Sequence, residues 1–245
     1  MGRLVILSGP SCVGKGPLHA ALRKFHPELA GNLRPVVLYN SRSPRPAELD
    51  GVDYHFRTRE QIEALRGKDG FTVLDVRGDL LAVDLAELAR TVARGDALFE
   101  GNPFVGKLLL DCPLPAGVQR LGVFLAPLSR REIEFLQAQP GVRLPDLVAD
   151  VMRRKLLRRT TRQKTHLSRK DLEEIERRCT SAYRELGYAH LFEHVIPNHD
   201  GEDSENWSAF YYPLADARLA LQAVAALLAG RPDPHVETWP ADLIP

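Results

Sequence analysis

Short apolar runs recur along this 245-residue chain, spaced widely enough for a helix to lie between most of them. They predict strands at Arg3–Ser8, Val36–Tyr39, Thr72–Val76, Ala97–Glu100, Leu121–Ala126 and His194–Pro197. The runs are continuous rather than alternating, which is the pattern of strands buried on both faces of a parallel sheet. Helix signals fill the intervals. Thr58-Arg-Glu-Gln61 reads as a capping box opening a helix to about Leu65, and Ser129-Arg-Arg-Glu132 is a second one. Asp84 caps a helix through Arg94 that Gly95 ends, and Ser168 caps a long helix to about Leu186. Leu214 to Ala229 is an Ala/Leu-rich helix stopped by Gly230 and Pro232. Strands alternating with helices predict an α/β fold, a parallel sheet flanked by helices. No internal repeat is visible.

Composition narrows the class. The apolar fraction of 44% is ordinary for a chain with a buried core. No apolar run is long enough to span a bilayer, so no membrane partner is expected. Met1 to Leu7 reads as a first strand rather than a signal peptide, and Ile6 stands where a myristoylation signal needs Ser or Thr. Cys12, Cys112 and Cys179 are odd in number and far apart, which indicates neither a disulfide framework nor a zinc cluster. A cytoplasmic protein is the simplest fit. The net charge of +1 gives no reason to expect nucleic acid. The stretch from Arg153 to Arg178 is strongly basic all the same, as a solvated helix face, a phosphate-clamping lid or an RNA-contacting arm would be.

Chemistry enters between the first strand and the first helix. Gly9, Pro10, Ser11, Cys12, Val13, Gly14, Lys15 and Gly16 form a glycine-rich loop at that junction. Such a loop turns successive backbone N–H groups into one concavity at the positive end of a helix. Lys15 can then reach the β- and γ-phosphates of a nucleotide, so the ligand class is a nucleoside triphosphate. The residue after Lys15 is Gly16 and the next is Pro17, so the usual hydroxyl for Mg²⁺ is missing there. Cys12 lies near the helix N-terminus, where a thiol pKa can fall, or simply fills a loop position.

A second constellation lies in Ser41 to Phe56. Arg42 and Arg45, three residues apart on a turn, can grip a phosphate dianion by charge-assisted bonds. Tyr54 adds a hydroxyl donor and Glu48 can orient the arginines. Arg42, Pro44, Arg45, Glu48, Gly51, Asp53, Tyr54 and Phe56 fall in the register of R-x-P-R-x-x-E-x-x-G-x-D-Y-x-F, the acceptor segment of the guanylate kinase family, which this chain resembles. The loop is similar to the family's GPSGVGKGT. Ile175, Arg178, Ala182, Glu185 and Leu186 resemble its lid helix, and His194 to Asn198 resembles the strand near its adenine site. The matches are in order and span Leu4 to about Asp200.

The resemblance implies a P-loop kinase fold in a single domain, 1–230. Its core would be 1–36, 84–136 and 187–230, its acceptor-binding insertion 37–83 and its lid 137–186, with an extended tail at 231–245. It implies Mg²⁺ and ATP as cofactor and donor, Asn198 on the ATP side, and Arg178 as the leading lid cation beside Lys15, with Arg162, Arg158 and Arg169 as weaker candidates. The family usually carries L-D-x-D where this chain offers Glu100 and Asn102, which makes Glu100 the metal-side candidate. The base-reading side departs from the pattern. Leu38 stands near a family Ser, and Leu80 and Leu81 replace tyrosines. Asp75 or Asp79 is left to substitute for a missing Glu. The expected activity is transfer of the ATP γ-phosphate to a nucleoside monophosphate, GMP by default. The alternatives are another phosphorylated small molecule such as a sugar phosphate, or a non-catalytic protein-binding module.

Overall fold

A computed structural model describes residues 2–45 and 48–245. The elements run β1 Leu4–Ser8, α1 Lys15–Phe25, α2 Pro27–Ala30, β2 Arg34–Pro35, β3 Leu38–Asn40, β4 Tyr54–Phe56, α3 Arg59–Glu63, β5 Phe71–Val76, β6 Asp79–Asp84, α4 Leu85–Arg94, β7 Ala97–Gly101 and α5 Pro103–Asp111. There follow β8 Arg120–Ala126, α6 Arg130–Gln137, α7 Leu144–Gln163, α8 Arg169–Leu186, β9 His194–Pro197 and α9 Ala215–Leu228. Five strands form a parallel sheet in the order β2-β7-β1-β8-β9. All five β1 residues are buried, as its unbroken apolar run requires.

The caps read from the sequence set the helix starts. Thr58, Ser129 and Ser168 each close a full capping box, and the Asp84 carboxylate accepts the Glu87 N–H at 2.9 Å. Helix α3 stops at Glu63, two residues short of expectation.

Two strand expectations need correction. Only half of the Val36–Tyr39 run is strand: Val36 and Val37 link β2 to β3, and Leu38 and Tyr39 lie in β3, which belongs to a second sheet. Thr72–Val76 belongs to no parallel pair. It lies in β5, which pairs antiparallel with β6 in a four-stranded sheet ordered β4-β3-β6-β5. The β5–β6 turn is Arg77-Gly78, both at positive φ (57° and 90°), between the paired Val76 and Asp79. That two-residue turn with both centres left-handed matches the strand twist and fixes the register. One face of this small sheet, with Tyr39, Val73, Leu80 and Ala82, packs on Ile62 and Leu65.

Contacts divide the chain into two compact units. One comprises Met1–Ile6, Leu33–Phe99 and Leu108–Leu121, and the other Leu7–Asn32, Glu100–Lys107 and Gly122–Pro245. In the second, α7 packs on α8, and α9 packs on α1 and β9. The C-terminal segment also belongs there: Glu237 bridges Val195 antiparallel, and Trp239 and Leu243 are buried.

Candidate functional site

The phosphate loop joins β1 to α1. Gly14 caps α1 at φ 105°, and a Cβ there would fall 2.5 Å from Asn198 Nδ2. Only glycine fits both the angle and the space. Lys15 lies along the loop, 8% exposed, with Nζ donating to the Gly9 and Pro10 carbonyls at 2.8 Å each. Asn198, at the end of β9, is fully buried. Its amide donates to Val13 O and Asp200 O at 2.7 Å each, and its Oδ1 accepts the Asp200 N–H at 3.2 Å. Asn198 therefore fastens the segment after β9 to the phosphate loop. Gly201 comes so close to the Cys12 carbonyl that a Cβ would overlap it.

Cys12 fills a loop position, the second of the two readings its sequence context allowed. Its thiol is 1% exposed and is pushed up to about 12, first by burial and then by the charge of Glu202. The group is therefore held protonated near neutral pH and packs as a small buried residue.

Beside the loop, a Cβ at Gly16 would meet, among the described residues outside its own helix backbone, Glu100 Oε1 at 3.8 Å. Glu100 comes from β7, and its Oε2 lies 3.1 Å from His19 Nδ1 on α1. Asn102 serves elsewhere: its Oδ1 accepts the Val105 N–H at the start of α5.

The basic stretch resolves into two packed helices, α7 and α8. Arg154, Lys155, Arg158 and Arg162 of α7 line a cavity of about 500 Å³, together with His199 and Asp203 from the segment after β9. Asp203 is 6% exposed, 3.9 Å from Lys155 Nζ and 3.6 Å from Arg158. Arg162 donates to Asp203 O and pairs with Glu205 at 3.1 Å. Lys155 donates to His199 O. Arg178 is placed differently. It pairs with Glu174 on its own helix at 2.6 Å, its side chain is 12% exposed, and it does not line this cavity. Arg169 is almost fully exposed beside Glu173.

The acceptor constellation is built on the small sheet. Arg42 Nη1 donates to Ser43 O at 3.0 Å and to Glu48 Oε2 at 2.6 Å, and Nη2 donates to Glu48 Oε1 at 2.6 Å. The guanidinium stacks over Tyr54 and Phe56, 5.2 and 5.5 Å from the ring centroids. Three of its five N–H groups are thus engaged. The Nε–H and the second Nη2–H form a side-on fork with no partner among the described residues. Burial opposes the Arg42 charge, but the hydrogen bonds to Glu48 and its negative charge outweigh burial, so the guanidinium pKa is raised. Glu48 is held below the usual carboxylate range: burial works the other way, and Arg42 and the Arg45 N–H overcome it. Arg45 is half exposed, and its backbone N–H donates to Glu48 at 2.7 Å.

Strand register separates the two aspartates. Leu38 pairs with Tyr54, Asn40 with Phe56 and with Leu81, so these residues share a face with Val83 and Asp79. The Asp79 charge reaches Arg42 and helps raise its pKa. Asp75 pairs with Leu80 on the opposite face. There its oxygens take the Gly78 N–H at 2.9 Å and Arg59 at 3.4 Å. Asp75 therefore holds the hairpin turn and is not brought to Arg42.

Sequence comparison gives the chain its relatives. The profile of the family described as Guanylate kinase matches residues 1–92. A guanylate kinase of Streptococcus agalactiae is 32% identical over 160 residues, 62% of this chain and 71% of the relative. The chain belongs to the guanylate kinase family. A second relative, the guanylate kinase of Synechococcus sp., is 28% identical over 214 residues, 86% of this chain and 83% of its own length. The crystal structure of guanylate kinase from Anaplasma phagocytophilum superposes with a TM-score of 0.50 at 17% identity, covering 95% of this chain and 88% of that one. That likeness shows the fold. Family membership accords with the phosphate loop and the Arg42–Glu48 pair described above. Among the described residues, no helix is long and apolar enough to cross a membrane.

Two features of the site escaped the sequence. Helix α7 was hidden by its charges, although Val148, Met152 and Leu156 recur every four residues on its buried side. Asp203, opposite the α7 cations, carried no motif, whereas Arg154 and Lys155 belong to the basic stretch already read as a lid candidate.

Proposed function

We propose that this chain is an ATP-dependent phosphotransferase that moves the γ-phosphate of ATP onto a phosphorylated small molecule, with a nucleoside monophosphate as acceptor class and GMP as default. The observation that carries the reading is the open side-on fork of Arg42, held in place by Glu48, on a chain that also has a phosphate loop with its lysine. Residues 37–83 act as the acceptor-binding insertion and 137–186 as the lid.

Phosphoryl transfer asks little covalent help from protein, since catalysis is positioning and charge neutralisation. The loop N–H groups at the start of α1 and the Lys15 ammonium hold the donor phosphates. The Arg42 fork, with Arg45 and the Tyr54 hydroxyl, holds the acceptor phosphate. The acceptor nucleophile is itself a phosphate oxygen, so no strong base is required. Arg162 and its neighbours on α7 supply positive charge to the transferring group, and Arg178 steadies the lid helix or joins them on closure.

The residues present fit Mg²⁺ delivered with the nucleotide. Among the described residues no cluster of three or more His, Cys, Asp or Glu could hold a metal alone. Mg²⁺ characteristically takes one or two carboxylates plus substrate phosphates and waters. Glu100, with Oε1 turned toward Gly16, is the carboxylate that would hold it, directly or through water. When bound, the ion neutralises charge on the β- and γ-oxygens.

A second reading is favoured by one observation. The face that carries Tyr54 and Phe56 also carries Leu38, Leu81 and Val83, all buried and aliphatic. Aliphatic carbon in place of polar base-reading groups behind Tyr54 and Phe56 suits a phosphorylated acceptor that is not read by its base. ADP production from Mg·ATP across nucleoside monophosphates and sugar phosphates tests both. Turnover with none of them, with ATP binding intact, would leave the chain a binding module.

A further inference from the structure

Glu100 has a neighbour that the mechanism above leaves unused. His19 lies three residues after Gly16 on α1, so the two positions share a face of the helix. Its Nδ1 is 3.1 Å from Glu100 Oε2, and both side chains are 29% exposed. The other oxygen, Oε1, is, among the described residues and apart from the helix's own backbone, the atom that a Cβ at position 16 would meet within 4 Å, at 3.8 Å. One carboxylate oxygen is therefore held by the helix, and the other is turned toward its first turn, next to Lys15.

We infer that His19 is a positioning residue for Glu100, and that the His19–Glu100 pair takes the place of the hydroxyl missing after Lys15 in presenting an oxygen to the nucleotide's divalent cation. The inference rests on the reading of Glu100 as the metal-side carboxylate. A glutamate at a strand end has three side-chain torsions to settle, and a metal or its bound water rewards only one arrangement. A hydrogen bond from Nδ1–H fixes the carboxylate plane and leaves the second oxygen to act. Gly16 completes the arrangement by leaving room between the helix and Glu100 that a side chain would fill. A hydroxyl at 16 would serve the cation itself. Its absence and the presence of a bonded carboxylate at the same spot are two halves of one design.

The test measures Mn²⁺ affinity by electron paramagnetic resonance for the full chain bound to β,γ-imido-ATP. Variants are His19→Ala, His19→Asn, Glu100→Gln and the double His19→Ala/Glu100→Gln. Metal-free nucleotide affinity and the unfolding midpoint are measured alongside. Outer-shell partners of metal-binding groups typically contribute about 10- to 100-fold in metal affinity. His19→Ala is expected to weaken Mn²⁺ binding by that factor with metal-free nucleotide binding unchanged. His19→Asn, whose amide can donate from nearly the same place, should recover most of it. The double variant should bind Mn²⁺ no more weakly than Glu100→Gln. If Glu100→Gln weakens Mn²⁺ and His19→Ala does not, or if His19→Asn fails to rescue, the positioning role is overturned while the reading of Glu100 stands. If Glu100→Gln leaves Mn²⁺ affinity unchanged, the reading of Glu100 falls, and the inference with it.

Discussion

Replacing Arg42 with lysine tests the acceptor grip most directly, because the structure says what each donor does. Two N–H groups of Arg42 go to Glu48 and one to Ser43 O, which leaves a two-donor fork. A hydrogen bond to a charged group is worth about 1.5–3 kcal/mol. Arg42→Lys keeps the charge but can offer at most one bond in place of the fork. The loss is therefore about 1.5–3 kcal/mol, or roughly ten- to a hundredfold in acceptor affinity. Arg42→Ala loses both bonds and leaves the Glu48 carboxylate, 17% exposed, facing the incoming dianion. The loss should then lie between about thirtyfold and a few thousandfold, the about 2–5 kcal/mol found when a desolvated charge loses its partner. Calorimetric titration with the acceptor, and separately with β,γ-imido-ATP, reads both arms. An acid-unfolding series gives an independent check. The folded-state pKa of Glu48 is depressed below its ordinary value of 4.5, so its contribution to stability is present above that value and is lost as pH falls through the folded pKa. Arg42→Ala should remove this and move acid unfolding to higher pH. Lysine at 42 binding acceptor within twofold of arginine, or ATP affinity falling in parallel, would refute the reasoning.

Lys15→Ala should cut turnover by roughly a hundredfold or more with the fold intact, since it removes a preorganised cation from the donor phosphates; near-normal steady-state rates would overturn the phosphate-loop assignment. Arg162→Ala should lower kcat more than it raises either KM, because a lid cation acts mainly on the transition state, and Arg178→Ala should do the same only if lid closure frees it from Glu174. With its pKa near 12, Cys12 carries roughly one thiolate in a few thousand at pH 8.5, so iodoacetamide followed by mass spectrometry should leave it unlabelled until the chain unfolds.

Much of this was legible in the sequence because it rests on local rules. The capping boxes at Thr58 and Ser129 depend on four residues each and fell where they were read, and the Ser168 cap closes as a further box with Asp171. Buried parallel strands such as β1 and β9 announce themselves as unbroken apolar runs. What was lost depends on pairing. The run at Thr72 looks like a parallel strand by composition, and only the Arg77-Gly78 turn and the partner β6 make it a hairpin. Asp75 and Asp79 are equivalent in sequence, yet strand alternation places them on opposite faces. Arg178 fits a family pattern, but whether a helix arginine meets a cavity or its own Glu174 is decided by rotation about the helix axis, which spacing alone did not give.

The faces of the small sheet also decide what to expect of specificity. A site that reads a base through matched polar groups can reject competitors by roughly ten thousandfold, because the wrong ligand leaves buried donors and acceptors unpaired. A hydrophobic wall discriminates by only about 1–3 kcal/mol. The face that carries Tyr54 here bears Leu38, Leu81 and Val83. Asn40 shares it, but its Oδ1 already accepts the Arg42 backbone N–H at 3.1 Å. Asp75 is on the other side. Among the described strand residues of that face Asp79 is the carboxylate, and its charge is already felt by Arg42. Binding should therefore depend strongly on the acceptor's phosphate and modestly on the rest of it. Catalytic efficiencies for GMP, AMP, CMP and a pentose phosphate are expected to lie within about a hundredfold of one another, the reach of an apolar wall. Asp79→Asn should change that ratio if Asp79 reads the base, and change only the phosphate affinity if it acts through Arg42. A preference for GMP near ten thousandfold would mean that Asp79 or backbone groups read guanine, and that the aliphatic face is not the acceptor's floor.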